Sequence, residues 1–213
     1  MSIVMVIISA CAQYNLEEDF KVELIDGGKS VKITGYVGTK WDVWIPPKIQ
    51  KLPVTHIGDS AFRGKNQLTS VIIPKSVTEI GPCAFAVNQL TDVVIPKSVT
   101  EIGSCAFWGN QLTSVVIPKS VTKIGPGAFG HNQLTGVTIG KSVTEIGSGA
   151  FWSNQLTRVV IPDSVTVIGD SAFLGNRLTK VVIPNSVTMI GDNAFWGNRL
   201  TGITIGGKCV TTE

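Results

Sequence analysis

An Ala-Phe pair recurs at Phe62, Phe85, Phe107, Phe129, Phe151, Phe173 and Phe195, with one spacing of 23 residues and five of 22. A Leu-Thr pair keeps step with it at Leu68, Leu90, Leu112, Leu134, Leu156, Leu178 and Leu200, always 22 residues apart. A fixed period of this length means a stack of like units, none of which can bury its own apolar side chains alone. The unit reads Leu-Thr-x-Val-x-Ile-Pro-x-Ser-Val-Thr-x-Ile-Gly-x-x-Ala-Phe-x-x-Asn-Gln. It predicts seven coils that carry Ala-Phe and a truncated eighth beginning at Leu200.

Within a coil, the alternation Val71, Ile73 predicts a strand. It ends at Pro74, and likewise at Pro96, Pro118, Pro162 and Pro184, because proline has no N–H to continue a ladder. Val77, Ile80 and Phe85 add inward residues, and Gly81 and its equivalents let the chain turn tightly. Leu68, Val71, Ile73, Val77, Ile80, Ala84 and Phe85 are therefore one coil's share of a continuous core. A hydrophobic fraction of 43% suffices to build that core and argues against disorder. Before the repeats, Phe20 to Val37 holds two alternating runs around Asp26-Gly27-Gly28, which predicts a capping hairpin. The chain thus divides into residues 1–19 as a leader and tether, 20–39 as the hairpin and 40–213 as the solenoid.

The run LTSVIIPKSVTEIGPCAF (residues 68–85) resembles the BspA-like leucine-rich-repeat family, and the resemblance extends from Trp41 to Ile205. It implies a leucine-rich-repeat arc with a parallel β-sheet on the concave face. It further implies surface display and, in some relatives, attachment to host proteins or other bacteria. Two departures stand out: Pro46 to Val54 holds five residues more than Pro74 to Val77, and Arg63 to Gln67 holds one more. These insertions leave the pairing of the first and second coils open.

Because side chains alternate across a strand, the residues between the core Val and Ile point outward and stack at about 4.8 Å per coil. That column is Ile72, Val94, Val116, Thr138, Val160, Val182, Thr204, apolar where water is expected. It reads either as plain β-propensity or as a binding stripe. Beside it runs Ser70, Asp92, Ser114, Gly136, Arg158, Lys180, Gly202, which makes Arg158 and Lys180 neighbours. Ile72, Val94, Val116, Arg158, Val160, Lys180 and Val182, on the concave face, are the candidate partner-binding residues. A column of Lys75, Lys97, Lys119 and Lys141 would repel itself, and Glu79, Glu101 and Glu145, four residues further on, are expected to balance part of that charge. The position after Phe holds Trp108, Trp152 and Trp196 in alternate coils, with Ala86 and Gly130 leaving notches beside them. These rings either pack over their small neighbours or serve as anchors for a partner or a small apolar ligand. Asn66, Asn88, Asn110, Asn132, Asn154, Asn176 and Asn198 read as turn residues whose amides satisfy backbone groups, and the threonine columns receive the same structural reading.

Ile8-Ser9-Ala10-Cys11 ends an uncharged apolar run and resembles a lipobox, making Cys11 a lipidation candidate and membrane tether. The basic start of a secretory signal is missing, so the first Met reads as lying inside a longer signal, or else the run is a buried strand. The polar residues that follow suit a tether, and the location expected is the periplasm or cell surface. Cys83 and Cys105 occupy one slot in adjacent coils, near enough for a bridge, but parallel Cβ directions favour free thiols and leave Cys209 unpaired either way. The same slot holds Ser60, Gly127, Gly149, Ser171 and Asn193, which suggests a requirement for small size.

Catalytic and metal chemistry find no support. His56 and His131 occupy different repeat positions without ligand spacing, acidic residues sit singly, and no phosphate-binding glycine loop is present. No cofactor is implied, and a net charge of +3 with only 15% charged residues argues against nucleic acid as a partner. Three non-catalytic functions remain: a protein-binding or attachment module, a carrier of a small apolar ligand, and an envelope component that assembles end to end. The third follows from Leu200 to Ile205, read as an uncapped strand before apolar Val187, Ile190 and Phe195 that self-associates, most simply as a symmetric dimer. Truncating the spine tests the stacked core: Phe129→Ala should cost about 3 to 5 kcal/mol and lower the melting temperature sharply, which calorimetry would measure.

Overall fold

The computed structural model describes residues 14–64, 67–206 and 208–210. Cys11 and Asn66 lie outside them. Each coil contributes two short extended segments. The first, such as Ser70–Ile72, alternates exposed and buried residues; the second, such as Glu79–Ile80, follows the proline corner. Phe62, Phe85, Phe107, Phe129, Phe151 and Phe173 are completely buried between them.

The long sheet is built from the second segments. It runs from an N-terminal hairpin through Leu52–Ile57, Glu79–Ile80, Glu101–Ile102, Lys123–Ile124, Glu145–Ile146, Val167–Ile168 and Met189–Ile190. From Leu52–Ile57 onward, each strand lies parallel to the preceding one. The strand expected at Val71 to Ile73 instead forms separate parallel ladders, joining Asp42–Trp44 to Ser70–Ile72, Ser114–Val116 to Gly136–Thr138, and Lys180–Ile183 to Gly202–Ile205. Proline accounts for part of the difference, since it cuts the first segment short. Around the second, Thr100 N–H donates to Thr78 O and Gly103 N–H to Ile80 O, while the Thr100 hydroxyl adds a bond to Thr78 O. The glycine after this segment is obligatory. A Cβ at Gly103 would come within 2.6 Å of the Gly81 carbonyl carbon.

Two columns tie the coils together. The phenylalanine rings from Phe62 to Phe195 stack face to face with centroids 5.0 to 5.7 Å apart. Tyr36 continues this stack into the hairpin, 5.5 Å from Phe62. The asparagines are buried staples between coils: Asn132 Oδ1 accepts from Leu112 N–H at 3.1 Å, and its amide donates to the carbonyls of Phe107 and Phe129. Asn88, Asn110, Asn154, Asn176 and Asn198 repeat this arrangement.

The ends and the insertions depart most from the repeat. Phe20–Ile25 and Ser30–Tyr36 form an antiparallel hairpin that turns at Asp26, Gly27 and Gly28, all with positive φ, and its second strand lies parallel to Leu52–Ile57. The extra residues after Pro46 fold into a small hairpin of Lys48–Ile49 against Leu52–Ile57, turning at left-handed Gln50 and Lys51. Asp42–Trp44 still pairs with Ser70–Ile72, so the insertion leaves the first coil in step with the second. At the C-terminal side the expectation of an unpaired edge is corrected. The chain reverses at Gly206, φ 57°, and Lys208–Val210 pairs antiparallel with Gly202–Ile205, occupying the edge through which self-association was expected. Beside this hairpin, Met189, Ile190 and Trp196 are exposed, while Val187 and Phe195 are half-buried.

The slot of Cys83 and Cys105 is small for a different reason than space. Ser60, Cys83, Cys105, Gly127, Gly149, Ser171 and Asn193 all have φ between 53° and 65°, so the slot demands left-handed backbone. A second left-handed slot holds Gly64, Val87, Gly109, His131, Ser153, Gly175 and Gly197. Val87, φ 57°, is the strained member, because a β-branched side chain clashes with its own backbone there. Val87→Gly should therefore stabilise the protein by about 1 to 2 kcal/mol, read as a higher urea midpoint.

Candidate interaction surface

The first segment positions the apolar column. Val71 and Ile73 are held in the core, so Ile72 must face outward, and each coil repeats the constraint. Ile72, Val94, Val116, Val160 and Val182 are 46 to 74% exposed, an unusual state for so many aliphatic side chains in one line. The column also contains a residue that the repeat reading missed. Trp44 pairs with Ile72 and heads the line, half-buried, one coil earlier. The signal was present in Val43-Trp44-Ile45-Pro46, which matches Val71-Ile72-Ile73-Pro74, but the insertion after Pro46 obscured the alignment.

Arg158 and Lys180 are both exposed at equivalent positions of adjacent coils. Beyond them, Val159, Val160, Ile161, Val182, Ile183 and Gly206 line much of an open, mainly apolar cleft of about 720 Å³. The structure thus brings Val160 and Val182 together in one depression, and none of the three tryptophans lines it.

The tryptophans are unequal. Trp108 is half-buried, and its Cδ1 lies 3.0 Å from where a Cβ of Gly130 would stand, so the ring fills the notch that Gly130 leaves. Ala86 is buried as well. His131 sits edge-on between Trp108 and Trp152, with centroid distances of 5.2 and 4.5 Å. Trp152 is 41% exposed and Trp196 71%. The open notches expected beside the rings are therefore filled or covered, and Trp196 is the most accessible of the three.

The charged columns differ from their sequence reading too. Glu79 and Glu145 lie on the long sheet, where Glu79 pairs with His56 at 3.3 Å and Glu145 with Lys123 at 3.2 Å. Among the described residues these are the only such contacts of an acid with a basic side chain, and neither involves Lys75, Lys97, Lys119 or Lys141. The lysines sit in the turn that opens at the proline, whereas the acids lie in the strand that follows, and four residues of sequence proximity give no contact. Glu79, Glu101, Lys123 and Glu145 instead border a shallow groove of about 200 Å³ along the long sheet.

Cys83 and Cys105 are half-buried, unbridged thiols. Burial first, and the neighbouring Cys83 thiol second, push the Cys105 thiol above its usual range. That works against a reactive thiolate. Among the described residues no three His, Cys, Asp or Glu side chains cluster as a metal site, and no helix is long and apolar enough to cross a membrane.

The geometry has known counterparts. The chain is similar over 91% of its length to a leucine-rich cell surface protein of Faecalibacterium prausnitzii, at 29% identity and a TM-score of 0.65, covering 55% of that chain. It is similar in fold to the pneumococcal vaccine antigen PcpA, at 22% identity and a TM-score of 0.58, over 88% of this chain and 48% of that one. It thus spans about half the length of either structure. A leucine-rich repeat protein of T. pallidum is 25% identical over 89% of this chain and 70% of its own, with a TM-score of 0.41. No curated protein matches the sequence. The BspA-type leucine-rich-repeat region, a repeat scaffold and not a catalytic domain, matches in 6 copies over residues 48–158 and 102–213. With the 22-residue coil, the stacked phenylalanines and the parallel sheet, that match places this chain in the BspA-type leucine-rich-repeat family.

Proposed function

We propose that the chain is a non-catalytic attachment module of a bacterial envelope protein, which binds a protein partner through the outward face of its first segments. The observation that carries this reading is the line of exposed Ile72, Val94, Val116, Val160 and Val182 on consecutively stacked coils. Exposed aliphatic side chains gain most from being covered, and a surface already ordered loses little conformational entropy on binding. Arg158 and Lys180 add positive charge beside the C-terminal part of the line, suited to orienting an acidic partner. The Faecalibacterium relative is described as a cell surface protein, and the pneumococcal one as a vaccine antigen. Both descriptions support display outside the cytoplasm. Cys11 would supply the membrane tether in this reading.

A second reading is favoured by one observation, the cleft at Val160 and Val182. Its volume suits a small apolar molecule, and five aliphatic side chains line it beside the polar Asp163, Asn185 and Ser186. Here the tryptophans serve as neighbours, and only Trp196 retains the exposure of an anchor.

One substitution series separates the two. Against an array of extracellular and bacterial surface proteins, the wild type should bind at least one with micromolar affinity or better. Val160→Lys and Arg158→Glu should each weaken that binding tenfold or more at unchanged melting temperature. Thr166→Lys, an exposed position just before the long-sheet strand Val167–Ile168, should leave it unaltered. If the array gives no binding while native mass spectrometry finds a lipid that Val160→Lys releases, the ligand reading replaces the attachment reading.

A further inference from the structure

Lys75, Lys97, Lys119 and Lys141 occupy the position after the proline corner in four consecutive coils, Gly140 standing in for proline in the last. All four are exposed. The coils translate in register, so these ammonium groups are carried on a straight row with a step of about 4.8 Å. Like charges at this spacing lie well inside the Debye length of about 8 Å at physiological salt and destabilise one another. Among the described residues none of the four pairs with an acid, so this repulsion is unrelieved by a salt bridge. The row has definite limits. In the next coils the same position holds Asp163 and Asn185.

We infer that this row binds an extended acidic polysaccharide carrying one carboxylate per sugar ring, laid along the solenoid axis. The match is one of step as well as sign. A pyranose ring in an extended chain advances by close to one coil rise, so its acid groups fall opposite lysines whether every ring or every second ring faces the protein. An extended acidic peptide presents same-side carboxylates about 6.6 to 6.8 Å apart and loses step with the coils within two residues. Three positions before each lysine of the first three coils lie Ile72, Val94 and Val116, which give the C–H faces of the rings an apolar track to rest on. Of the corner serines, Ser76 and Ser98 donate to backbone carbonyls one coil back, Pro47 O and Val77 O, which leaves the lysines as the charged groups on offer. The inference shares Ile72, Val94 and Val116 with the protein-binding reading, but its charged contacts are the lysine row and not Arg158, Lys180 or Val160.

The test uses a β-1,4-linked octauronate as the probe in calorimetric titrations at low salt, with a neutral octasaccharide and octaglutamate as comparisons. The octauronate should bind, with affinity that falls as salt is raised. Lys97→Gln together with Lys119→Gln should weaken binding at least tenfold, and the Arg pair at the same positions should restore it. Lys29→Gln together with Lys40→Gln, exposed lysines of the N-terminal region, should change it less than twofold. Absence of octauronate binding, equal losses in the two Gln pairs, or octaglutamate binding as tightly as octauronate would each overturn the inference. Val160→Lys should leave octauronate binding intact, so failure of the attachment reading and failure of this one are told apart.

Discussion

Each coil is completed by its neighbours. The buried asparagine shows this most directly, because one side chain accepts from the leucine N–H that opens its own coil and donates to the phenylalanine carbonyls of that coil and of the one before it. A backbone group buried without a partner costs about 1 to 3 kcal/mol, so displacing one coil would orphan several groups at once. The stacked phenylalanines need the same lateral registry. The glycine column enforces it sterically, since nothing larger allows the coils to approach this closely. The straight columns on the surface are a by-product of this internal constraint.

The period, the core positions and the ends of the first segments were legible in the sequence because burial and proline act locally. The location of the long sheet was less legible. Thr-x-Ile-Gly offers only two strand residues per coil, and its continuity comes from hydrogen bonds between residues 22 apart, which no short window displays. The left-handed slot of Cys83 and Cys105 was read as a demand for small side chains, since its glycines satisfy both requirements. Val87, in the second slot, shows the backbone demand by itself: it is neither small nor at ease in that conformation. At the candidate site, exposure of the valine column followed directly from alternation. The fates of Trp108, Trp152 and Trp196 did not, because they depend on whether the next coil offers a glycine or another ring.

Internal repetition also limits what the protein can present. A side chain chosen for one coil is brought to within about 5 Å of its counterpart in the next, so charge and apolarity accumulate as lines and not as compact clusters. Such surfaces recognise extended objects more naturally than small polar substrates. Convergent acid, base and nucleophile groups would require the repeat to break, and its largest break closes on itself as the hairpin of Lys48–Ile49 and Leu52–Ile57.

The direction of the interstrand hydrogen bonds has a mechanical consequence. They run along the solenoid axis, so tension applied between its two ends loads the coil interfaces in series, and the weakest yields first. Each 22-residue coil that peels away releases about 70 Å of extended chain. A solenoid held at one end and pulled at the other would lengthen in steps and dissipate work at each rupture, leaving the remaining coils folded.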